Sequence, residues 1–151
     1  MSEKIMSLFL DTSVIGGYFD KEFEQDTQRL FENINEGKYI AFISDLIDDE
    51  LLNAPQKVKD VLKKFYYKTI KVTPECKSLA DEYIKENVVG KTSKDDCVHI
   101  ATATINNIDI LVSWNFKHIV NVQRIRGYNS VNIKKGYKHL EIRSPKDMEV
   151  L

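Results

Sequence analysis

Ser7-Leu8-Phe9-Leu10-Asp11-Thr12-Ser13 is the stretch on which the reading of this chain turns. The short apolar run from Ser7 to Leu10 stops abruptly at Asp11, and reads as a buried strand. Asp11-Thr12-Ser13 is then a turn into a short helix around Val14 to Phe19.

Outward from there the same alternation repeats. Phe23, Leu30, Phe31 and Ile34 share a helical face, and Asn35-Glu36-Gly37 stops that helix. Tyr39 to Ile43 reads as a second strand, with Ser44 or Asp45 capping a helix that carries Leu46, Ile47 and Leu51 until Pro55. Val58, Val61, Leu62 and Phe65 keep i, i+3, i+4, i+7 spacing and predict a fourth helix. Thr69 to Val72 reads as a strand, and Thr73-Pro74 supplies a cap followed by proline at the first helical position. Leu79, Ala80, Tyr83 and Ile84 line that helix. Ser93-Lys94-Asp95-Asp96 fits a capping box with Asp in place of Glu, opening a helix with Cys97, Ile100, Ala101, Thr104 and Ile105 on one face. Ile110 to Val112 is a fourth strand, Phe116 to Lys134 reads as mostly helical with a bend at Gly127, and Leu140 to Ile142 reads as a last edge strand. Strands separated by helices predict an α/β fold, one domain over residues 1–151 with a mainly parallel central sheet flanked by helices.

Composition narrows the classes. With 151 residues, 42% apolar and 30% charged, the chain has the make-up of one globular domain. Its longest apolar run, Tyr39 to Ile43, is far too short to span a bilayer, so no membrane association is expected. Met1-Ser2-Glu3-Lys4 has no apolar core of signal-peptide length, and Cys76 and Cys97 are lone thiols without zinc-ligand spacing. Together these predict a cytoplasmic protein with two core cysteines. A net charge of −1 means that any nucleic-acid partner must be held by a local patch.

In a parallel sheet the ligand crevice lies beyond the carboxyl ends of the strands, where strand order reverses. Acids or an amide occur at each such place here. The first strand ends in Asp11, the second leads to Asp48, Asp49 and Glu50, the helix after Ser93 opens with Asp95 and Asp96, and the fourth strand ends in Ser113-Trp114-Asn115. Carboxylates gathered in one crevice repel each other unless a cation neutralises them, and Mg²⁺ suits such oxygen ligands. Each residue also has a plain structural use: Asp11 as a helix cap, Glu50 as a solvated helix residue, Asp95 and Asp96 as first-turn acids, Asn115 as a turn residue. Asp96 is four residues before Ile100 and points to the buried side, whereas Asp95 is four before His99.

Leu8 to Val14, then Ile43-Ser44 followed by Glu50-Leu51, then Asp96-Cys97-Val98-His99-Ile100-Ala101-Thr102-Ala103, then Leu111 to Ile119 resemble, in that order, the PIN-domain family. The closest likeness is to the VapC-type toxins of prokaryotic toxin–antitoxin pairs, over residues 5 to 145. The resemblance implies an acidic pocket at the carboxyl edge of the sheet and a ribonuclease dependent on Mg²⁺ or Mn²⁺. It puts Asp11, Glu50 and Asp96 at the metal and catalytic positions. The fourth position, usually Asp in the family, is Asn115 here, which offers no charge and makes a second metal less expected. Thr12 or Ser13 matches the hydroxyl beside the first acid. The resemblance also implies an RNA substrate, a small antitoxin protein as partner, and a homodimer, for which the helices between Leu46 and Tyr67 offer a surface.

Lys57, Lys59, Lys63, Lys64, Lys68 and Lys71 surround Phe65, Tyr66 and Tyr67, an interleaving that suits RNA phosphates and bases; Lys63, Lys64 and Lys68 are the candidate contacts, and a solvated helix face is the alternative. Arg124, Arg126, Lys134, Lys135 and Lys138 are a second basic group. His99 and His118 read as packing or hydrogen-bonding residues, and Trp114 as a packing anchor. A dehalogenase-type phosphatase needs Asp where Ser13 stands, and no phosphate-binding G-x-x-x-x-G-K-[ST] loop occurs. The remaining alternative is a PIN-like interaction or RNA-binding module without catalysis, which Asn115 keeps open.

Overall fold

The structure, a computed structural model, describes residues 4–148; Met1-Ser2-Glu3 and residues 149–151 lie outside it. Five strands form one sheet: β1 (Met6–Leu10), β2 (Tyr39–Ser44), β3 (Tyr67–Ile70), β4 (Ile110–Val112) and β5 (Glu141–Arg143). Their order is β3-β2-β1-β4-β5, and every neighbouring pair is parallel. Each connection is therefore a crossover, and the crossovers carry α1 (Thr12–Gly16), α2 (Glu24–Asn35), α3 (Leu46–Glu50), α4 (Gln56–Lys59), α5 (Pro74–Lys85), α6 (Lys94–Ile105) and α7 (Val122–Lys134). The chain winds outward from β1 toward β3, then crosses to the other side for β4 and β5. Strand order thus reverses between β1 and β4.

Pleat alternation divides the core in two. Leu8 and Leu10 of β1, with Ile110 and Val112 of β4, pack against Leu30, Phe31 and Ile34 of α2. Phe9 and Leu111 point to the opposite face, against Leu79, Tyr83, Ile100 and Tyr128 of α5, α6 and α7. Fully burying such side chains contributes about 1.5–3 kcal/mol each, which fixes the register of β1 strongly. Cys76 and Cys97 are buried free thiols, as their isolation in sequence predicts. No helix among the described residues is long and apolar enough to cross a membrane.

Several local expectations need correction. β3 begins two residues earlier than the apolar run suggests, and the predicted helix through Phe65 is only α4 followed by a 3₁₀ turn over Asp60–Lys63. The cause is Asn35, whose side chain donates to the Lys64 carbonyl (2.8 Å) and accepts from Tyr66 N–H (3.1 Å), drawing the chain into β3. Ser93 makes no capping-box bond: it closes the 3₁₀ turn Lys91–Ser93 and lacks the extended backbone of a side-chain cap. The helix expected from Phe116 starts at Val122, capped by Asn121, because Asn115 organises residues 116–120 into a turn. Gly127 leaves α7 unbroken; a Cβ there would stand 2.7 Å from Val88 Cγ1, so close packing explains the glycine.

Candidate active site at the strand-order reversal

Asp11 follows β1 directly and is 3% exposed. It caps α1: its Oδ1 accepts from Ser13 N–H at 2.6 Å and from the Ser13 hydroxyl at 2.5 Å. Its Oδ2 accepts from the Ser113 hydroxyl at 3.0 Å. The two serines also receive the chain leaving β4, since Trp114 N–H donates to Ser13 Oγ and Asn115 N–H to Ser113 Oγ, both at 2.9 Å. Asp11 is thereby held rigidly across the β1–β4 reversal, where a crevice residue of this fold belongs.

Glu50, the last residue of α3, reaches the same edge. Its Oε1 accepts from the Thr12 hydroxyl at 2.7 Å and lies 2.5 Å from His99 Nε2. Thr12 and Ser13, adjacent in sequence, therefore each hold a different acid. Asp96 comes from the first turn of α6, and its Oδ2 accepts from the Asn115 side-chain amide at 3.3 Å. The Asn115 carbonyl oxygen is meanwhile used by His118 N–H at 2.9 Å. Asn115 thus steadies Asp96 and its own turn.

The charges feel one another. Burial first, then the charge of Asp11 and, more weakly, of Glu50 and Asp95, push the Asp96 carboxyl up to about 6, against a smaller opposing pull from His99. Burial pushes His99 toward its neutral form, but the bond to Glu50 and the charges of Asp11, Glu50 and Asp96 outweigh it and hold its pKa above the ordinary value. Glu50 is the counterpart. Burial raises it, yet the His99 and Thr12 bonds and the His99 charge win, and its pKa lies below the usual carboxylate range.

His99, which the sequence reads as a packing or hydrogen-bonding residue, does both: it bonds Glu50 and is buried. A helix amphipathic about Cys97, Ile100 and Ala101 would leave position 99 away from the core. Instead every residue of α6 from Cys97 to Thr104 is buried, because α6 is sandwiched between the sheet and α5. His99 is 2% exposed and rests against the Phe9 ring. Ser113 was unassigned; only its position after β4 hinted at a role.

Asp95 is exposed and lines a different space, a cleft of about 410 Å³ with Asp45, Asp49, Lys77 and Lys94 at its rim and Leu46, Val72 and Val98 beneath. This cleft lies off the ends of β2 and β3, beside the acids rather than over them. The basic candidates also separate. Lys63 and Lys64 lie where β3 begins, at the amino edge of the sheet, one strand length (roughly 15 Å) from the acids. Lys68 pairs with Phe42, which packs on the α5–α6 face, so it projects from the opposite side of the sheet to Phe65.

The donor chemistry at the edge is hard oxygen with unrelieved negative charge, and Mg²⁺ is usually held by one or two carboxylates with several waters. Asp11 and Asp96 are the carboxylates of that type at this edge, and the charge of Asp11 acts on Asp96. Among the described residues no group of three or more His, Cys, Asp or Glu is placed to hold a metal ion, and His99 occupies Oε1 of Glu50. A cation at this edge would take most of its ligands from water. A scan against protein-family models and a search of curated proteins each find no match to this chain.

Proposed function

We propose that this protein is a PIN-like, Mg²⁺- or Mn²⁺-dependent ribonuclease. The observation that supports the reading is the placement of Asp11 and Asp96 at the strand-order reversal, where Ser13 and Ser113 hold Asp11, Asn115 holds Asp96, and burial first and the charge of Asp11 second raise the Asp96 carboxyl. Carboxylates of one sign, coupled at the place where α/β sheets bind ligands, suit a site completed by a cation.

Asp11 and Asp96 would hold the ion, with Glu50 beside them. The ion supplies an activated water and neutralises charge developing on the phosphodiester. The protein's own part is positional. Ser13 and Ser113 fix both oxygens of Asp11. Thr12 and His99 aim Glu50 and keep it ionised, ready to accept a hydrogen bond from the attacking water. The Asn115 amide orients Asp96. The antitoxin partner and the homodimer implied by the resemblance belong to this same reading.

A second reading has its own observation. His99 already bonds Glu50 from within the fold and Asn115 adds no negative charge, an arrangement that suits a PIN-like binding module without catalysis. Calorimetric titration with Mn²⁺ separates the two. The nuclease reading expects binding that disappears when Asp11→Asn and Asp96→Asn are combined; affinity unchanged by the pair contradicts it.

A further inference from the structure

An exposed aromatic ring stands next to the acids. Phe116, one residue beyond Asn115, is 48% exposed. Its ring meets Trp114 at 6.0 Å and 68°, and Phe23 at 6.4 Å and 55°. The first contact is edge-to-face and the second tilted, so among the described residues no ring is stacked parallel on Phe116. The ring is nonetheless held on a firm base. Trp114 is buried, stacked on Phe23 at 4.1 Å, and its indole N–H donates to Thr27 Oγ1 at 2.8 Å.

Two cations act on the turn that follows Phe116. Lys117 follows in sequence and is exposed, and the Arg124 guanidinium bonds the Val88 carbonyl nearby. Their field is felt at His118, whose pKa is lowered by burial and then by Lys117 and Arg124. A half-exposed aromatic ring, an adjacent exposed lysine and Asn115, the partner of Asp96, one residue away are the parts that hold a single strand: a base on the ring, a phosphate on the cation. Lys63, Lys64 and Tyr66 share the same chemistry, but at the wrong end of the sheet to serve Asp11 and Asp96.

We infer that Phe116 is the stacking platform for a base of a single-stranded RNA, with Lys117 on the neighbouring phosphate, so that the strand is laid across the edge carrying Asp11 and Asp96. The inference rests on the ribonuclease reading for its substrate class. The stack orients the strand, and Phe116 takes no part in the chemistry.

Trp114 is the sole tryptophan and reports on the ledge directly. The test is a fluorescence titration of the full chain with a short single-stranded oligoadenylate in EDTA, where binding is read without cleavage. The oligomer should change Trp114 emission. Phe116→Ala and Phe116→Leu should each weaken binding roughly 5- to 100-fold, the range for loss of one base–aromatic stack, while Phe116→Tyr keeps the wild-type affinity. Phe116→Leu retains an apolar side chain, so it serves even if Phe116→Ala folds poorly. Equal affinity in all variants, or Leu binding as well as Phe, overturns the inference; so does emission unchanged by the oligomer, which would leave Phe116 to a protein partner. A parallel cleavage assay with Mn²⁺ keeps the two readings apart. Phe116-dependent binding without cleavage contradicts the nuclease and spares the platform. Cleavage with KM unmoved by Phe116→Leu does the reverse.

Discussion

His99 Nε2 lies 2.5 Å from Oε1 of Glu50, joining a residue of the most buried helix to an acid at the sheet's carboxyl edge. The imidazole is 2% exposed, so its proton has no alternative in water. His99→Ala removes the partner of a partly buried carboxylate and leaves a cavity against Phe9, and should cost about 2–4 kcal/mol in chemical denaturation. His99→Gln keeps an N–H donor and should recover part of the stability and any metal-dependent activity. Equal losses in the two variants would show that volume, and not the bond to Glu50, is what matters.

Asp96 works against the fold. Its folded pKa of about 6 lies above its ordinary 3.8, so the folded protein holds the proton to higher pH than the unfolded chain does. The carboxyl therefore lowers stability progressively from about pH 4 to pH 6, and the full penalty applies above that. Asp96→Asn should raise the melting temperature at pH 7 in EDTA by a few degrees, corresponding to roughly 1 kcal/mol after allowance for its partial exposure. A melting temperature at pH 7 that is lowered or unchanged would contradict this account of the charge cluster.

The same competition predicts how a cation acts. At pH 7 Mn²⁺ would relieve repulsion on an ionised Asp96; at pH 5 it must first displace a proton. The rise in melting temperature produced by Mn²⁺ should therefore be larger at pH 7 than at pH 5. In the metal-free protein His99 continues the downward trend set by Asp96 as pH rises. Its raised pKa contributes stability that is complete below about 6.5 and fades as pH climbs through the folded value. Scans with and without Mn²⁺ at each pH isolate the cation's part.

Asn115→Asp tests the departure from the family pattern. The new carboxylate would face Asp96 Oδ2 where an amide now donates at 3.3 Å, while still accepting from His118 N–H. In EDTA the variant should melt lower than wild type, and in calorimetry it should bind Mn²⁺ several-fold more tightly. Unaltered Mn²⁺ affinity would place Asn115 outside the reach of the ion.

Two adjacent glycines should respond with opposite signs. A Cβ on Gly17 would stand 2.8 Å from Trp114 Cδ1 and Nε1 and 2.9 Å from Thr27 Oγ1, whereas one on Gly16 meets nothing within 4 Å. Gly17→Ala should cost about 1–3 kcal/mol and shift Trp114 emission. Gly16→Ala, in a helical conformation, should add about 0.4–1 kcal/mol and leave the emission alone. Thermal melts followed by fluorescence decide both.

The fold was legible where one physical cause dominates. β1 and β4 are uninterrupted apolar runs because both faces of a parallel sheet are covered, and Thr73-Pro74 opens α5 through the cap bond that its residue types demand. Boundaries failed where a distant side chain overrides periodicity, as Asn35 does at Tyr66 and Asn115 does before Val122. In the site, the convergence of Asp11, Glu50, Asp96 and Asn115 follows from strand ends, which sequence reveals. The sequence reading of His99 as a packing or hydrogen-bonding residue left its partner open, because amphipathic reasoning assumes one solvent face and α6 has almost none. The basic run around Phe65 spreads along the sheet, with Lys63 and Lys64 before β3, Lys68 within it and Lys71 just beyond it, a placement that composition alone does not reveal.

The most direct test is RNA cleavage by the full chain with Mg²⁺, with Mn²⁺ and with EDTA, beside Asp11→Asn purified in the same way. Total RNA and a panel of transfer RNAs serve as substrates. The account predicts cleavage with either ion, none in EDTA, and none in Asp11→Asn despite a folded protein by circular dichroism. Cleavage that persists in EDTA or in Asp11→Asn, or its absence from the wild type with both ions, would contradict the ribonuclease reading and favour the binding module.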